Sequence, residues 1–357
     1  MHVLPKLHAK YGPILRISPT EVHLSDPSNY SEIYSSSSSS YKYPKDPDFY
    51  NAMEGPIRAP VLLTVKSSDE HRVRRAALNP FFSRRSVLEL VEQQIIKTKT
   101  EKLCGMIFQT LFPPFKNIKW IESLETVRVA VTKVREEIET GIKPDRRTIF
   151  HELIDLQPLT DENVKGRKSS AKRAIFDSPE IYGKLRKELR DAFPDVESIN
   201  LGALEKLPYL TGVIKEALRL KPGLPGHLPR LVPSPGATFN SVPLPPGISI
   251  SMSAWLMHYD PVAFGTGKEQ PTVFDPERWI PHTREDEERI RIQERCMVPF
   301  GKGSRNCLGQ ALAMAELYST LGNMFWRFDD LVVEELFLGY HPRGARKLRI
   351  LRGREDR

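Results

Sequence analysis

The amino-acid sequence predicts a mainly α-helical protein with small β-sheets, an α+β fold in one unit. Apolar residues recur at helical spacing in several segments, most clearly across residues 309–328. Proline is unusually frequent: it makes up 30 of the 357 residues, about 8% against a usual level of about 5%. Because proline interrupts helix interiors and central strands, this excess predicts long ordered loops between the elements. Hydrophobic residues at 39% and charged residues at 27% argue against a mainly disordered chain.

The N-terminal part is predicted to contain two short strands and long loops. Residues 14–17 and 22–24 are rich in apolar side chains and flank the turn-forming Ser18-Pro19-Thr20. The six serines at 35–40 predict a loop. Residues 41–60 are rich in proline, aspartate and aromatics, which predicts a loop with one short helix.

The helices follow in order. Residues 67–69, Ser-Ser-Asp, are good helix caps and predict a helix that runs to Leu78 and ends at Asn79-Pro80. Further helices are predicted at Ser86–Ile107 and, from apolar residues at helical spacing, at Trp120–Glu139.

The C-terminal half predicts the strongest helices. Ser178-Pro179 caps one helix with proline at its first position. Tyr209–Leu220 forms another, which Pro222 ends, and residues 309–328 form the last.

The remaining strands are predicted among and after the prolines. Phe239–Val242 and Ile248–Met252 are expected to pair with each other. Short strands are also expected from Val332 onward, ending at residues 348–351.

The basic excess of the chain is local. The formal net charge is +8, and lysines and arginines concentrate at residues 165–173 and 343–357. Such an excess favours nucleic acid or an anionic surface as a partner. Neither cluster is interleaved with aromatic residues, so a nucleic-acid-binding protein is a weak hypothesis and no nucleic-acid partner is expected.

The cysteines and the hydropathy of the sequence indicate which cellular compartment the protein suits. Cys104, Cys296 and Cys307 give neither a disulfide framework nor a C-x-x-C zinc pair, which fits a reducing environment. No apolar run reaches the roughly 20 residues of a membrane span, and the N-terminus lacks the apolar segment of a signal peptide. We therefore expect no membrane span in this chain.

The segment most informative about chemistry is residues 300–309, F-G-K-G-S-R-N-C-L-G. Gly301, Gly303 and Gly309 allow tight bends and a close approach to a flat partner. A helix that starts at Cys307 would place amide donors and the positive end of the helix dipole near the sulfur, which favours the thiolate, a ligand suited to heme iron. A lone cysteine at a helix start is more often a buried structural residue. Here, however, every position of the pattern F-x-x-G-x-R-x-C-x-G is met.

From Phe300 through Arg305 to Cys307, this segment resembles the heme-binding loop of the cytochrome P-450 family, the heme-thiolate monooxygenases. The resemblance implies the cytochrome P-450 fold, heme b as the cofactor and Cys307 as the axial ligand of its iron, with no further catalytic residue identified. It implies a single heme-thiolate monooxygenase domain over residues 1–357. Segments 74–83 and 232–239 are typical of fungal secondary-metabolism members.

A second motif resembles the structural triad of that family. Glu216 and Arg219 match E-x-x-R on a helix, where residues three apart share a face and can pair. Arg278, in Pro-Glu-Arg-Trp at 276–279, resembles the arginine that completes the triad. Such a Glu–Arg pair is common on helix surfaces; the resemblance implies that these three residues fix the fold around the thiolate loop.

Basic residues in three segments resemble the groups that bind the heme propionates. His71 and Arg75 are spaced H-x-x-x-R, and Arg230 lies in Pro-Arg-Leu-Val-Pro. With Arg305 they give four groups for two carboxylates, and such charge-assisted hydrogen bonds are strong. Taken singly, each is equally well interpreted as a solvated surface cation.

By the same resemblance, three family segments are missing: the N-terminal membrane anchor, helices after Cys104, and the central oxygen-binding helix with its acid–threonine pair. Between Glu162 and Ser178 stands only a short segment of fifteen residues, which is basic and not apolar. Thr160-Asp161 has the reversed order of that pair and lies too early in the sequence. The fold is therefore expected to be incomplete in the central helix. The missing helical turns would otherwise bury apolar surface, and each Å² buried stabilises a fold by about 25 cal/mol.

The resemblance implies a monooxygenase that oxidises an apolar small molecule in fungal secondary-metabolite biosynthesis. Because the chain has no flavin or nicotinamide fingerprint, its electrons are expected from NADPH through a separate flavoprotein reductase. The expected location is the cytoplasm or the periphery of the endoplasmic reticulum. The alternative is a catalytically defective heme-binding remnant, or an incomplete gene model of such an enzyme.

Overall fold

The computed structural model describes residues 3–34, 43–53, 62–88, 178–265, 271–336 and 345–353. The predictions for residues 35–40, 120–139 and 163–177, and for most of Ser86–Ile107, lie outside these ranges.

The described part combines helices with short strands. The helices are α1 (Leu4–Tyr11), α2 (Ser28–Tyr34), α3 (Pro47–Met53), α4 (Ser68–Leu78), α5 (Arg84–Ser86), α6 (Pro179–Ala192), α7 (Leu201–Leu204), α8 (Pro208–Leu220), α9 (Ala254–His258), α10 (Pro261–Phe264), α11 (Arg284–Cys296) and α12 (Gln310–Arg327). The strands are β1 (Ile14–Arg16), β2 (Glu21–Leu24), β3 (Arg230–Leu231), β4 (Ala237–Phe239), β5 (Val242–Leu244), β6 (Ser249–Ser251), β7 (Phe328–Leu336) and β8 (Ala345–Gly353). The predicted α+β fold class is confirmed.

Local sequence signals set several helix ends as predicted. The hydroxyl of Ser67 accepts a hydrogen bond from the Glu70 amide at the start of α4, which ends at Asn79. Ser178 caps α6 in the same way, with Pro179 at the first helical position. The last long helix starts slightly later than predicted: Gly309 is its N-cap, so Cys307 precedes the helix.

A four-stranded sheet joins the N-terminal segment to the middle of the chain. Its strand order is β1-β2-β6-β3: β1 and β2 form the predicted antiparallel pair, β2 runs parallel to β6, and β6 is antiparallel to β3. An isolated bridge adds Lys45 next to Arg230 on the outer strand β3. The sheet therefore brings residues 45 and 230 together although they are far apart in sequence.

The predicted pairing of Phe239–Val242 with Ile248–Met252 is wrong. Residues 239–242 cross a tight hairpin turn, so that β4 pairs with β5, while β6 pairs with β2 and β3. The turn residues Asn240 and Ser241 have φ of 46° and 66°. Two-residue hairpin turns with positive φ at both positions usually carry glycine at the second position, and the serine here hides that signal.

Two apolar clusters hold the described part together. One lies between α6, α8 and α12, whose buried faces carry residues at helical spacing such as Leu185, Leu189, Ile214 and Phe325. The other lies under the four-stranded sheet and around α9 and α10, and includes Ile250, Met257 and Phe264. None of the helices described is both long and apolar enough to cross a membrane.

Candidate functional site

The segment 298–307 folds back on itself and presents Cys307. The amide of Cys307 donates to the Phe300 carbonyl (2.8 Å), and the amide of Gly301 donates to the Val298 carbonyl (3.0 Å). Gly301 and Gly303 have φ of 69° and 71°, a backbone region that residues with a side chain rarely adopt, so glycine is favoured at these positions. Cys307 is an exposed free cysteine. The loop can therefore deliver a sulfur ligand to a bound group.

An open cavity of about 630 Å³ reaches Cys307. Its wall includes Arg75 and Phe82 on one side and Ala311 and Met314 of α12 on the other. Ligand and cofactor sites have volumes of about 300–1,000 Å³ and combine apolar walls with a few polar groups. The volume of the cavity lies in this range, and its wall mixes these apolar residues with polar and charged ones such as Arg84, Glu205 and Gln310.

Two of the predicted arginines hold the loop that carries Cys307. Arg75 donates through Nη1 to the Asn306 carbonyl (2.7 Å) and through Nη2 to Asn306 Oδ1 (2.6 Å). Arg305 donates to the Val65 carbonyl (2.8 Å) at the entry to α4. Both ends of α4 are therefore tied to residues directly before the cysteine.

A cluster of buried basic side chains lies beside this loop. Lys45 is 5% exposed, Arg230 is 6% exposed and His71 is 2% exposed. Arg230 Nη1 donates to the hydroxyl of Tyr50 (2.6 Å), and Lys45 Nζ lies 4.7 Å from the centre of the same ring. Lys45 Nζ also donates to the Leu63 carbonyl.

The like charges of the cluster disfavour one another. Burial lowers the pKa of Lys45 to about 7, and the charges of Arg305 and Arg230 act in the same direction. Burial also lowers the pKa of His71 to about 4, again with contributions from Arg305, Lys45 and Arg75. An anion placed here would relieve this repulsion.

This cation cluster fits a group with two carboxylates. In the part of the chain that the structure describes, neither Lys45 nor Arg230 forms an ion pair with an acidic side chain. Buried charges are normally paired, so the positive charges of Lys45 and Arg230 fit the propionates of heme b. The three predicted residues His71, Arg230 and Arg305 meet around Lys45, which sequence reasoning missed because a lysine in Tyr43-Pro44-Lys45 matches no motif.

The predicted triad is present in the interior. Glu216 and Arg219 are both 0% exposed, and Arg219 donates to both carboxylate oxygens, Nε to Oε2 (2.8 Å) and Nη2 to Oε1 (2.6 Å). Arg278 Nε lies 3.5 Å from Glu216 Oε1. Glu216 also accepts from the Asp275 amide (3.1 Å) and from Trp279 Nε1 (2.9 Å). One carboxylate thus joins α8 to the turn at 275–279.

Arg219 extends this network to further backbone carbonyls. It donates to His258 (2.9 Å), Pro271 (2.5 Å) and Val273 (3.1 Å). With the two bonds to Glu216, all five donors of the guanidinium are used. None of the three triad residues lines the cavity.

The second described cysteine is a poor ligand. Cys296 is 4% exposed, and burial raises the pKa of its thiol to about 11. A neutral buried thiol neither binds metal well nor reacts readily. Cys307 is therefore the better candidate among the described cysteines.

Comparison with known proteins agrees with this geometry. The family model described as Cytochrome P450 matches residues 174–335. The chain is 30% identical to Cytochrome P450 monooxygenase BOT1 of Botryotinia fuckeliana, over 89% of this chain and 78% of that protein. It is 29% identical to Cytochrome P450 monooxygenase astB of Talaromyces wortmannii (89% and 75%) and 29% identical to Tryptophan 6-hydroxylase fscE of Fusarium equiseti (90% and 79%).

The alignments also show a difference in length. The alignment with BOT1 extends over 413 positions, more than the 357 residues of this chain, so BOT1 carries residues that have no counterpart here. Identity at this level over most of both sequences nevertheless shows common descent. The cysteine loop, the buried Glu–Arg–Arg triad and this similarity together show that the chain belongs to the cytochrome P450 family.

Proposed function

We propose that this chain is a cytochrome P450 monooxygenase that binds heme b through Cys307 and oxidises an apolar small molecule of fungal secondary metabolism. The observation that carries the proposal is the exposed Cys307, held at the end of a loop whose bends favour glycine. The relatives named as monooxygenases, BOT1 and astB among them, support the reaction class.

In this proposal the residues of the chain hold and orient the cofactor. Cys307 is the axial ligand, and Arg75 fixes the backbone of Asn306 directly before it. Lys45, Arg230 and Arg305 would provide positive charge for the two propionates, and His71 would lie beside them as a neutral hydrogen-bonding group. When bound, a thiolate-ligated heme supplies oxygen activation, because the thiolate pushes electron density toward the iron. Electrons would come from NADPH through a separate flavoprotein reductase.

Replacing Cys307 tests the ligand assignment. We expect Cys307→Ala to abolish the red-shifted Soret band of the thiolate-ligated ferrous–CO complex, because alanine offers no ligand. The matched control is Cys296→Ala, which removes a buried neutral thiol and should leave the band in place. An unchanged band in Cys307→Ala, measured by CO difference spectroscopy at equal heme content, would show that another residue binds the iron.

Replacing Lys45 tests the carboxylate contacts. A hydrogen bond to a charged group contributes about 1.5–3 kcal/mol, so Lys45→Met should weaken binding of heme to the apoprotein by about tenfold to a hundredfold. Since the same change removes like-charge repulsion, the stability of the apoprotein should stay equal or rise. A loss of heme affinity without a loss of apoprotein stability would show that Lys45 acts in binding and not in folding.

Titration of apoprotein with heme and with heme dimethyl ester measures this effect. The ester lacks free carboxylates, so Lys45→Met should lose affinity for heme but not for the ester. Lys187→Met, which changes a 77% exposed lysine, is the control and should bind both porphyrins as the wild type does. Equal heme affinity of Lys45→Met and the wild type would remove Lys45 from the site.

The second candidate is a heme-binding remnant without productive oxygen chemistry. The residues that BOT1 carries without counterpart in this chain favour it. With a fungal reductase and a panel of apolar substrates, NADPH consumption coupled to an oxidised product would establish the monooxygenase. NADPH consumption that yields peroxide alone would establish the remnant.

A further inference from the structure

His258, the last residue of α9, connects the triad helix to the cysteine loop. Its side chain is completely buried. Nδ1 lies 2.9 Å from the carbonyl oxygen of Arg219, near the end of α8, and Nε2 lies 2.8 Å from the amide nitrogen of Val298. Sequence reasoning missed this residue because it lies between the motifs and belongs to none of them.

The partners of the two ring nitrogens fix the protonation of His258. The carbonyl of Arg219 can only accept, so Nδ1 must carry the proton, and the amide of Val298 can only donate, so Nε2 must be unprotonated. One neutral tautomer therefore satisfies both bonds. Burial, with a smaller contribution from the charge of Arg219, lowers the pKa of His258 to about 4, against an opposing effect of the bond to the Arg219 carbonyl. The imidazole is therefore neutral at physiological pH.

Val298 is one of the points at which the cysteine loop is attached to the core. Its amide donates to His258, its carbonyl accepts from Gly301, and its side chain is 2% exposed. Phe300, two positions later, accepts the hydrogen bond from the Cys307 amide. A displacement at Val298 is thus transmitted through Phe300 to Cys307.

The same histidine is fixed from the opposite side by the triad. Arg219 Nη1 donates to the His258 carbonyl, while His258 Nδ1 donates to the Arg219 carbonyl. These reciprocal bonds join α8 and α9 as one unit. The path from Glu216 to the loop therefore runs through Arg219 and His258.

We propose that His258 is a positioning residue that sets residues 298–307 against α8, and thereby holds the sulfur of Cys307 where it can bind heme iron. The inference rests on the proposed heme-thiolate function. It assigns to His258 no contact with heme or substrate.

Three substitutions at residue 258 test the proposal. His258→Gln can place its side-chain amide oxygen near the position of Nε2, so it keeps the acceptor for the Val298 amide and should retain the wild-type spectrum. His258→Phe keeps the volume but removes both bonds. His258→Asn reaches the Arg219 carbonyl but is too short for the Val298 amide, so it removes the loop bond alone. The matched control is Tyr259→Phe, which removes a hydrogen bond from the neighbouring residue to the Leu220 carbonyl of α8 without touching the loop.

The readout is the ratio of thiolate-ligated to non-thiolate ferrous–CO complex at equal bound heme, together with the melting temperature. We expect His258→Phe and His258→Asn to lower the ratio at least tenfold, and His258→Gln and Tyr259→Phe to stay within twofold of the wild type. If His258→Phe does not fold, His258→Asn decides the question.

Three outcomes overturn the proposal: a wild-type ratio in His258→Asn, an equal loss in His258→Gln or Tyr259→Phe, or failure of both His258→Phe and His258→Asn to fold. The last would show a role in global stability instead. Failure of the proposed function is distinguishable, because Cys307→Ala would then leave the spectrum of the otherwise wild-type protein unchanged.

Discussion

Replacing Glu216 by glutamine is expected to destabilise the protein by about 3–5 kcal/mol, because it leaves two buried arginines without their counter-charge. Glutamine keeps the shape of the side chain, so the loss of stability would come from the missing charge and not from a cavity. Natural domains have a free energy of unfolding of only about 5–15 kcal/mol. We therefore expect a large decrease of the urea midpoint for Glu216→Gln, measured on purified protein with bound heme.

The control is a surface ion pair between α8 and α11. Lys215 on α8 lies 2.7 Å from Glu294, whose side chain is 52% exposed. Exposed pairs of this kind contribute about 0–1 kcal/mol, so Glu294→Gln should leave the urea midpoint almost unchanged. Equal effects of Glu216→Gln and Glu294→Gln would contradict the buried network described above.

Adding one methyl group at Gly212 is expected to destabilise the protein by about 1–3 kcal/mol, the usual range for overpacking. A Cβ at this position would lie 2.5 Å from the Pro276 carbonyl oxygen, closer than real Cβ contacts come. The added Cβ is fixed to the backbone of α8 and its neighbour is a backbone oxygen, so no side chain can rotate away. The helix α8 and the turn at 276–279 must therefore move apart. That movement also strains the ion pair between Arg278 and Glu216 and the hydrogen bond from Trp279 to Glu216.

The matched control for Gly212→Ala is the same change in the middle of α6. A Cβ at Gly183 would meet no atom within 4 Å. Gly183→Ala should therefore stabilise the protein by about 0.5–1 kcal/mol, since alanine loses less backbone entropy than glycine in a helix. Thermal unfolding should show shifts of opposite sign for the two variants, and a Tm of Gly212→Ala at or above the wild-type value would contradict the close helix–turn contact.

Local signals made the helices predictable. Ser67 and Ser178 accept the hydrogen bonds from the first-turn amides that helix capping requires, and Pro208 stands at the first position of α8. The hairpin at Asn240-Ser241 was missed because its turn lacks glycine. Helix α11 was missed because it is highly charged and buries little: of its residues, Gln293 and Cys296 are buried, and a capping box between Thr283 and Asp286 is its main signal.

The sequence by itself predicted the fold class from helical spacing and turn residues. It predicted the cysteine loop and the Glu216–Arg219 pair from residue types at fixed short spacing, and Arg278 from a separate motif. Only the tertiary structure decided which distant groups meet. It placed Lys45 beside Arg230 through strand pairing and joined Arg219 to Val298 through His258. Such contacts depend on burial and on the hydrogen bonds that buried polar groups must satisfy, and spacing along the chain does not encode them.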